Sequence, residues 1–468
     1  MALPHLPTVV MYHIAQQLVD EFGVLPTSEE RDLTRCTLLT LRETCKDFAI
    51  MGNIKAVLFR KISLHATEDN LNQLRQTNMT AFANFVHAID FYPSPYPVYA
   101  EFQAFKARLD IRTINITTRK ICHTCNQRSR EEHVSSHKCG RHASATIDIE
   151  ATYDALWTCA QNDTAVVETG TLPKAWAKTL SAFENVDAIS LRSLLGGCYH
   201  DGSNFEIVVP TNHDCCGWLV TIASRSMGNC GDLLFKAVIQ ALSPVGRLIK
   251  TFSLTCELST TWVNQGIEPY WDGLSFEGLE SLEVLYRPSS RVETDLFAAH
   301  APRTSFHFLV EQSHHTLQHL KLVAEDPYTV YMSWPPEKWD FSKLRELEVE
   351  GFGFDPRALA NDIYRFQALE RVTLKSCGPQ EDDGDWRYVF EAIRENLNIL
   401  HVEIGHIPVY FLGTDTTYWS LTLDMLDEID DQSTSTTDRL EAMRRSLRLY
   451  LSRKADWDDI LEGFFLQD

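Results

Sequence analysis

The chain has 468 residues, with 43 Lys or Arg against 64 Asp or Glu, a formal net charge of -21. That length exceeds one typical core and calls for two or three domains or an extended repeat array. The acidic excess argues against nucleic acid or an anionic membrane surface as partner. The 12 cysteines are sparse and irregularly spaced, so reduced thiols and a cytoplasmic or nuclear location are expected. Met1 to Glu21 has no positively charged leader. No apolar run approaches the roughly 18–20 residues of a membrane span, so no membrane partner is expected. The sequons at Asn78, Asn115 and Asn162 then read as chance matches.

The first element opens at Leu6-Pro7-Thr8. Val10, Ile14 and Leu18 follow at i, i+4 and i+8, one face of a helix, and Pro7 suits a helix start because its missing N–H costs nothing there. A polar stretch runs from Asp20 to Arg31. Asp32 then caps a second helix whose apolar face holds Leu38, Leu41, Cys45 and Phe48. Val57-Leu58-Phe59 closes the unit, and residues 1–65 are read as one helical domain.

In order and spacing, Leu6-Pro7, the Ile14/Leu18 helix, the Leu41 to Phe48 run with Cys45-Lys46, and Leu58-Phe59-Arg60 resemble the F-box, most closely the divergent F-boxes of filamentous fungi. The link from Val19 to Arg31 departs from the family in being longer and more polar. The resemblance implies docking on a Skp-type adaptor of a cullin ligase, with Leu6, Pro7, Val10, Ile14 and Leu18 as first anchors and Leu33, Leu38 and Leu41 as second.

Residues 66–160 read as a helical linker region carrying a basic loop. Within it, Cys122, Cys125, His133, His137, Cys139 and His142 offer zinc ligands. The seven-residue spacer between Cys125 and His133 is short for a finger, and Arg119, Lys120, Arg128, Arg130, Lys138 and Arg141 disfavour a cation. The reading is a polar loop without metal; a zinc-dependent module for nucleic acid is the alternative.

From 161 to 425 the pattern repeats. Leu317, Leu344, Leu369 and Leu397 each start an L-x-x-L-x-L-like segment, 27, 25 and 28 residues apart, and Leu279 starts another 38 residues earlier. Segments from Ile249 and Val186 are weaker copies, and stretches of helical spacing such as Arg357–Phe366 and Trp386–Glu395 lie between copies. A short strand plus a helix every 25–30 residues is the leucine-rich-repeat signature. The body as a whole also resembles that of fungal F-box proteins. The expected fold class is therefore α/β: an N-terminal helical F-box followed by an irregular leucine-rich-repeat-like solenoid. Residues between the leucines are expected to face a partner: Ser281 and Glu283, His319 and Lys321, Glu346 and Glu348, Arg371 and Thr373, Ile399 and His401. Trp334 and Trp339 flank a Pro-Pro turn, where they either anchor a partner or cover a core edge. Residues 426–468 read as a flexible segment and capping helices.

No nucleotide, dinucleotide, serine-hydrolase or zinc-protease motif occurs, and nothing in the sequence gives a base to His213, Cys215, Cys216 or Cys230. The expectation is a non-enzymatic interaction protein without cofactor. It would hold an unknown target protein on its repeats and tie it through the F-box to a ubiquitin ligase.

Overall fold

The computed structural model describes residues 16–17, 37–40, 48, 51–94, 109–112, 149–192, 205–210, 217–222, 228–246, 248–255, 275–286, 294–295, 305–324, 330–332, 339–379, 386–409, 417–424 and 439–465. The chain passes through α1 (Gly52–Leu58), β1 (Lys61–His65), α2 (Glu68–Gln76), a 3-10 turn (Met79–Phe85), β2 (Ala88–Tyr92), β3 (Leu109–Arg112), α3 (Ile149–Glu168), α4 (Thr171–Ala182) and β4 (Ala188–Leu191). Then come β5 (Phe205–Pro210), β6 (Gly217–Ile222), α5 (Gly228–Leu242), β7 (Thr251–Leu254), β8 (Ser281–Tyr286), β9 (Thr294–Asp295), α6 (Ser305–Ser313), β10 (His319–Ala324) and β11 (Val330–Met332). The remainder is β12 (Glu346–Glu350), β13 (Phe352–Phe354), α7 (Pro356–Arg365), β14 (Arg371–Lys375), β15 (Gly378–Pro379), α8 (Arg387–Glu395), β16 (His401–Val409), β17 (Thr417–Asp424), α9 (Arg439–Leu451) and α10 (Asp459–Phe465).

The fold is mixed α/β. Its main sheet has ten strands in the order β1-β2-β4-β7-β8-β10-β12-β14-β16-β17. The first nine run parallel, and β17 closes the row antiparallel to β16. The order follows the chain without reversal. The reversal of winding that opens a ligand crevice in doubly wound sheets is therefore missing from this sheet. The sheet begins at Lys61, ahead of position 161, where the leucine pattern places the first repeat. A parallel ribbon β9-β11-β13-β15 and an antiparallel sheet β3-β6-β5 accompany it. No described helix is long and apolar enough to cross a membrane.

One hydrogen-bond device recurs at every parallel junction of the main sheet. Two successive amides entering a strand share one carbonyl of the strand before. His87 and Ala88 donate to Arg60 O, Asp187 and Ala188 to His87 O, Gln318 and His319 to Glu280 O, and Leu400 and His401 to Glu370 O. The entry of each strand is thereby locked to its neighbour, and the register stays in frame across the sheet. Side chains add a second link between the turns: Asn185 donates to Asn84 O, Thr316 Oγ1 to Leu279 O, Arg365 to Trp339 O, and Asn396 to Ile363 O.

In-frame register sorts the side chains. Ile62, Ile89, Ile189, Phe252, Leu282, Leu320, Leu347, Val372 and Val402 form one row. Leu64, Phe91, Leu191, Leu254, Val284, Leu322, Val349, Leu374 and Ile404 form the second. Both rows belong to one continuous core with the apolar faces of the helices, including Trp176, Phe235, Leu309, Ile363 and Phe390. Helix starts use local capping. Thr67 accepts from Asn70 N at the head of α2, and Asp355 accepts from Arg357 N and Ala358 N at α7, where Pro356 occupies the first turn. Trp176 Nε1 donates to buried Asn70 Oδ1 at 3.2 Å, so the one polar atom of that indole is satisfied inside the core.

Candidate functional site

Because apolar rows alternate with polar ones, the opposite face of the sheet carries rows of its own. The first runs Lys61, Ala88, Ala188, Thr251, Ser281, His319, Glu346, Arg371, His401. The second runs Ser63, Asp90, Ser190, Ser253, Glu283, Lys321, Glu348, Thr373, Glu403. Small neutral residues occupy the middle, from β4 to β7, and charge gathers toward both ends.

Neighbouring strands stand roughly 4.8 Å apart, so opposite charges in one row meet. Lys321 Nζ lies 3.0 Å from Glu348 and 3.8 Å from Glu283. Burial opposes the charge on Lys321, but its bond to Glu348 and the fields of Glu348 and Glu283 outweigh that, and its pKa stands above the ordinary lysine value. Ser253 Oγ donates to Glu283 at 2.6 Å. Glu346 lies 3.0 Å from His319 Nδ1 and 3.6 Å from Arg371 Nε. Lys375 reaches Glu403 at 2.9 Å. At the other end buried Asp90 is held by Lys61 at 2.6 Å and Arg192 at 3.6 Å, and His65 stacks on Tyr92. The pairs exposed on both partners add little stability. Their effect is to hold side chains in a fixed mosaic of sign on this face.

The structure places Ser281, Glu283, His319, Lys321, Glu346, Glu348, Arg371 and His401 in these two rows. Thr373 occupies the same row but is 5% exposed. Ile399 is a correction: it is 3% exposed and belongs to the core. The reason is the frame of the last repeat. Leu397 and Leu400, which the pattern places inside, are 73% and 41% exposed. The register pairs Val372 with Val402 and Leu374 with Ile404, so Ile399, Val402 and Ile404 are the true apolar triplet, two residues later. Glu403 takes the place in the polar row that the leucine spacing gives to Ile399.

Of the adaptor anchors, Leu38 is described. It is fully buried with Phe48, Ile54 and Leu58 in a small cluster. Leu6, Pro7, Val10, Ile14, Leu18, Leu33 and Leu41 lie outside the described residues. So do Cys122, Cys125, His133, His137, Cys139 and His142, and Trp334. Trp339 is buried, beside His314 and Phe341.

Among the described residues no group of His, Cys, Asp and Glu is placed to hold a metal ion. Burial pushes the Cys377 thiol up to about 12, and burial followed by the field of Asp163 raises Cys159. Neither thiol is activated as a nucleophile. What the sheet face offers is ion pairing and hydrogen bonding through side chains held in rows. No protein-family model matches the chain, and no curated protein matches it in sequence.

Proposed function

We propose that this chain is the substrate-recognition subunit of a cullin-RING ubiquitin ligase, with an F-box-like hook that docks a Skp-type adaptor and a leucine-rich-repeat-like array that holds the target protein. The observation that carries the reading is the pairing of two parts. A helical cluster around Ile54 and Leu58 runs through α1 directly into a sheet of in-register strand units, one face of which is buried under helices and the other set with alternating charges. A repeat stack of this kind presents a broad rigid surface. The mechanism is proximity. The array holds a target while the hook ties it to the enzyme carrying activated ubiquitin, raising the effective concentration of target lysines. No residue of this chain takes part in bond making, and the protein works in the cytoplasm or nucleus beside that machinery.

Retention of a purified Skp-type adaptor by the immobilised full chain tests the reading. The wild-type protein retains the adaptor, and a Leu6/Ile14/Leu18→Asp triple variant does not. Failure of the wild type to retain it, or equal retention by the variant, refutes the assignment.

A further inference from the structure

We infer that the outer edge of β1 captures an extended peptide of a partner protein, whose alternate apolar side chains enter a cavity beside that edge. β1 is the end strand of the main sheet and pairs on one side with β2. Ala88 N donates to Arg60 O and Ala66 N to Tyr92 O. The alternation of a parallel ladder therefore turns Ile62 and Leu64 toward β2 and directs the backbone groups of Lys61, Ser63 and His65 outward. No strand pairs with that side among the described residues. Lys61 and Ser63, whose backbone groups point outward, are exposed residues.

Unpaired amides and carbonyls at strand spacing are matched by another extended backbone, the mode of recognition in which a peptide adds a strand to a sheet. The register of the sheet dictates what that peptide carries. At each existing junction apolar residues two apart fall in line with Ile62 and Leu64. A strand added outside β1 under the same rule places its own apolar side chains in these rows. A cavity of about 330 Å³ lies beside them, lined by apolar residues that include Leu58, Ile62, Leu74 and Phe82 and by polar Asn70, Gln73 and Thr77. It is of the size that takes ligand side chains. On the opposite face the added residues meet Lys61, Ser63 and His65, which favours threonine and glutamate there. This capture does not depend on the ligase assignment and is separate from the charged rows of the sheet face.

The test uses the full chain and a fluorescein-labelled ten-residue peptide in which leucine alternates with threonine and glutamate, followed by fluorescence anisotropy. Saturable binding is expected. An isomer with its leucines regrouped at helical spacing binds at least tenfold more weakly. N-methylation of the peptide amides that face β1 abolishes binding, whereas methylation of the alternate amides leaves it intact. Ser63→Pro removes an outward amide at a position where an edge strand tolerates proline, and Leu74→Trp fills the cavity. Each weakens binding at least tenfold with an unchanged circular dichroism spectrum. Absence of binding by the wild type, equal binding of the regrouped isomer, or indifference to the register of N-methylation overturns the proposal, and these readouts stand even where a variant fails to fold. Sedimentation supplies the remaining outcome: self-association of the wild type that Ser63→Pro abolishes makes a second copy the occupant and overturns peptide capture.

Discussion

Gly351 joins β12 to β13 at φ +83° and donates its amide to Lys375 O at 2.8 Å. An added Cβ there would stand 2.3 Å from Ala324 O, a carbonyl of the adjoining strand β10. Gly351→Ala therefore carries two costs. Holding a non-glycine residue at this φ costs about 1–3 kcal/mol, and forcing a methyl against a fixed backbone oxygen costs about 1–3 kcal/mol more. Gly170→Ala separates the two, because Gly170 has φ +69° with nothing within 4 Å of its Cβ position and bears the first cost alone. A chain of this length need not unfold in one transition. Local readout is the sound choice: hydrogen exchange of amides in β10 and β12, with β7 as internal reference. A loss of about 3 kcal/mol corresponds to exchange on the order of a hundredfold faster. Gly170→Ala leaves β10 and β12 unaffected and speeds exchange only around α4. Should Gly351→Ala perturb its strands no more than Gly170→Ala perturbs α4, the close approach of Ala324 O is not what fixes this turn.

Three further outcomes follow from the same geometry. Ile399→Ala costs about 2–4 kcal/mol, as a buried aliphatic deletion does, while Leu397→Ala stays within about 0.5 kcal/mol; thermal melts showing the reverse order would restore the frame read from leucine spacing. Asp163 accepts from Glu68 N at 2.8 Å and Ser94 Oγ at 2.6 Å, yet burial, the largest influence, holds its pKa above the ordinary aspartate value. A carboxyl raised in the folded state contributes stability that is fully present below the unfolded pKa and lost as pH rises through the folded one. The stability of wild type relative to Asp163→Asn therefore increases as pH is lowered from neutrality toward about 4, and a gap moving the other way refutes burial as the dominant influence. Lys321→Met leaves Glu283 and Glu348 without the cation between them, costing about 0.5–1 kcal/mol at low ionic strength and clearly less in about 1 M salt; a salt-independent change in Tm would show that these charges are not coupled.

The strands from β8 to β14 are legible because leucine itself marks their inward positions: Leu279 and Leu282, Leu317 and Leu320, Leu344 and Leu347, Leu369 and Leu374 are all buried. β1 and β2 obey the same geometry with Phe59, Ile62 and Leu64, and with Val86, Ile89 and Phe91. A search keyed to leucine passes over them, although burial requires only an apolar side chain of suitable volume. The last repeat misleads for the opposite reason. Leu397 and Leu400 imitate the motif on the surface, and only the pairing of β16 with β14 shows that Ile399 carries the packing. Charge on the sheet face is legible once the strands are known. Its pairing is not, since Lys375 with Glu403 and Lys61 with Asp90 depend on register between segments 28 and 29 residues apart. Strands of two or three residues such as β9, β11 and β15 show no period at all.

The two ends of the sheet are built differently, and the difference bears on where the molecule is open to partners. At the far end β17 reverses direction, its pairing with β16 breaks register between Ile404 and Ile407, and α9 packs Met443, Leu447 and Leu451 into the core. Reversal, irregularity and a covering helix are the devices that keep a sheet from growing. At the near end β1 runs in the same sense as its neighbours. The helical cluster meets the 3-10 turn through the stacked rings of Phe59 and Phe82 at 4.8 Å, and both rings line the cavity beside the strand. Among the described residues the end next to the helical cluster keeps a strand edge in frame with the whole sheet, so a strand added there would continue the register of that sheet.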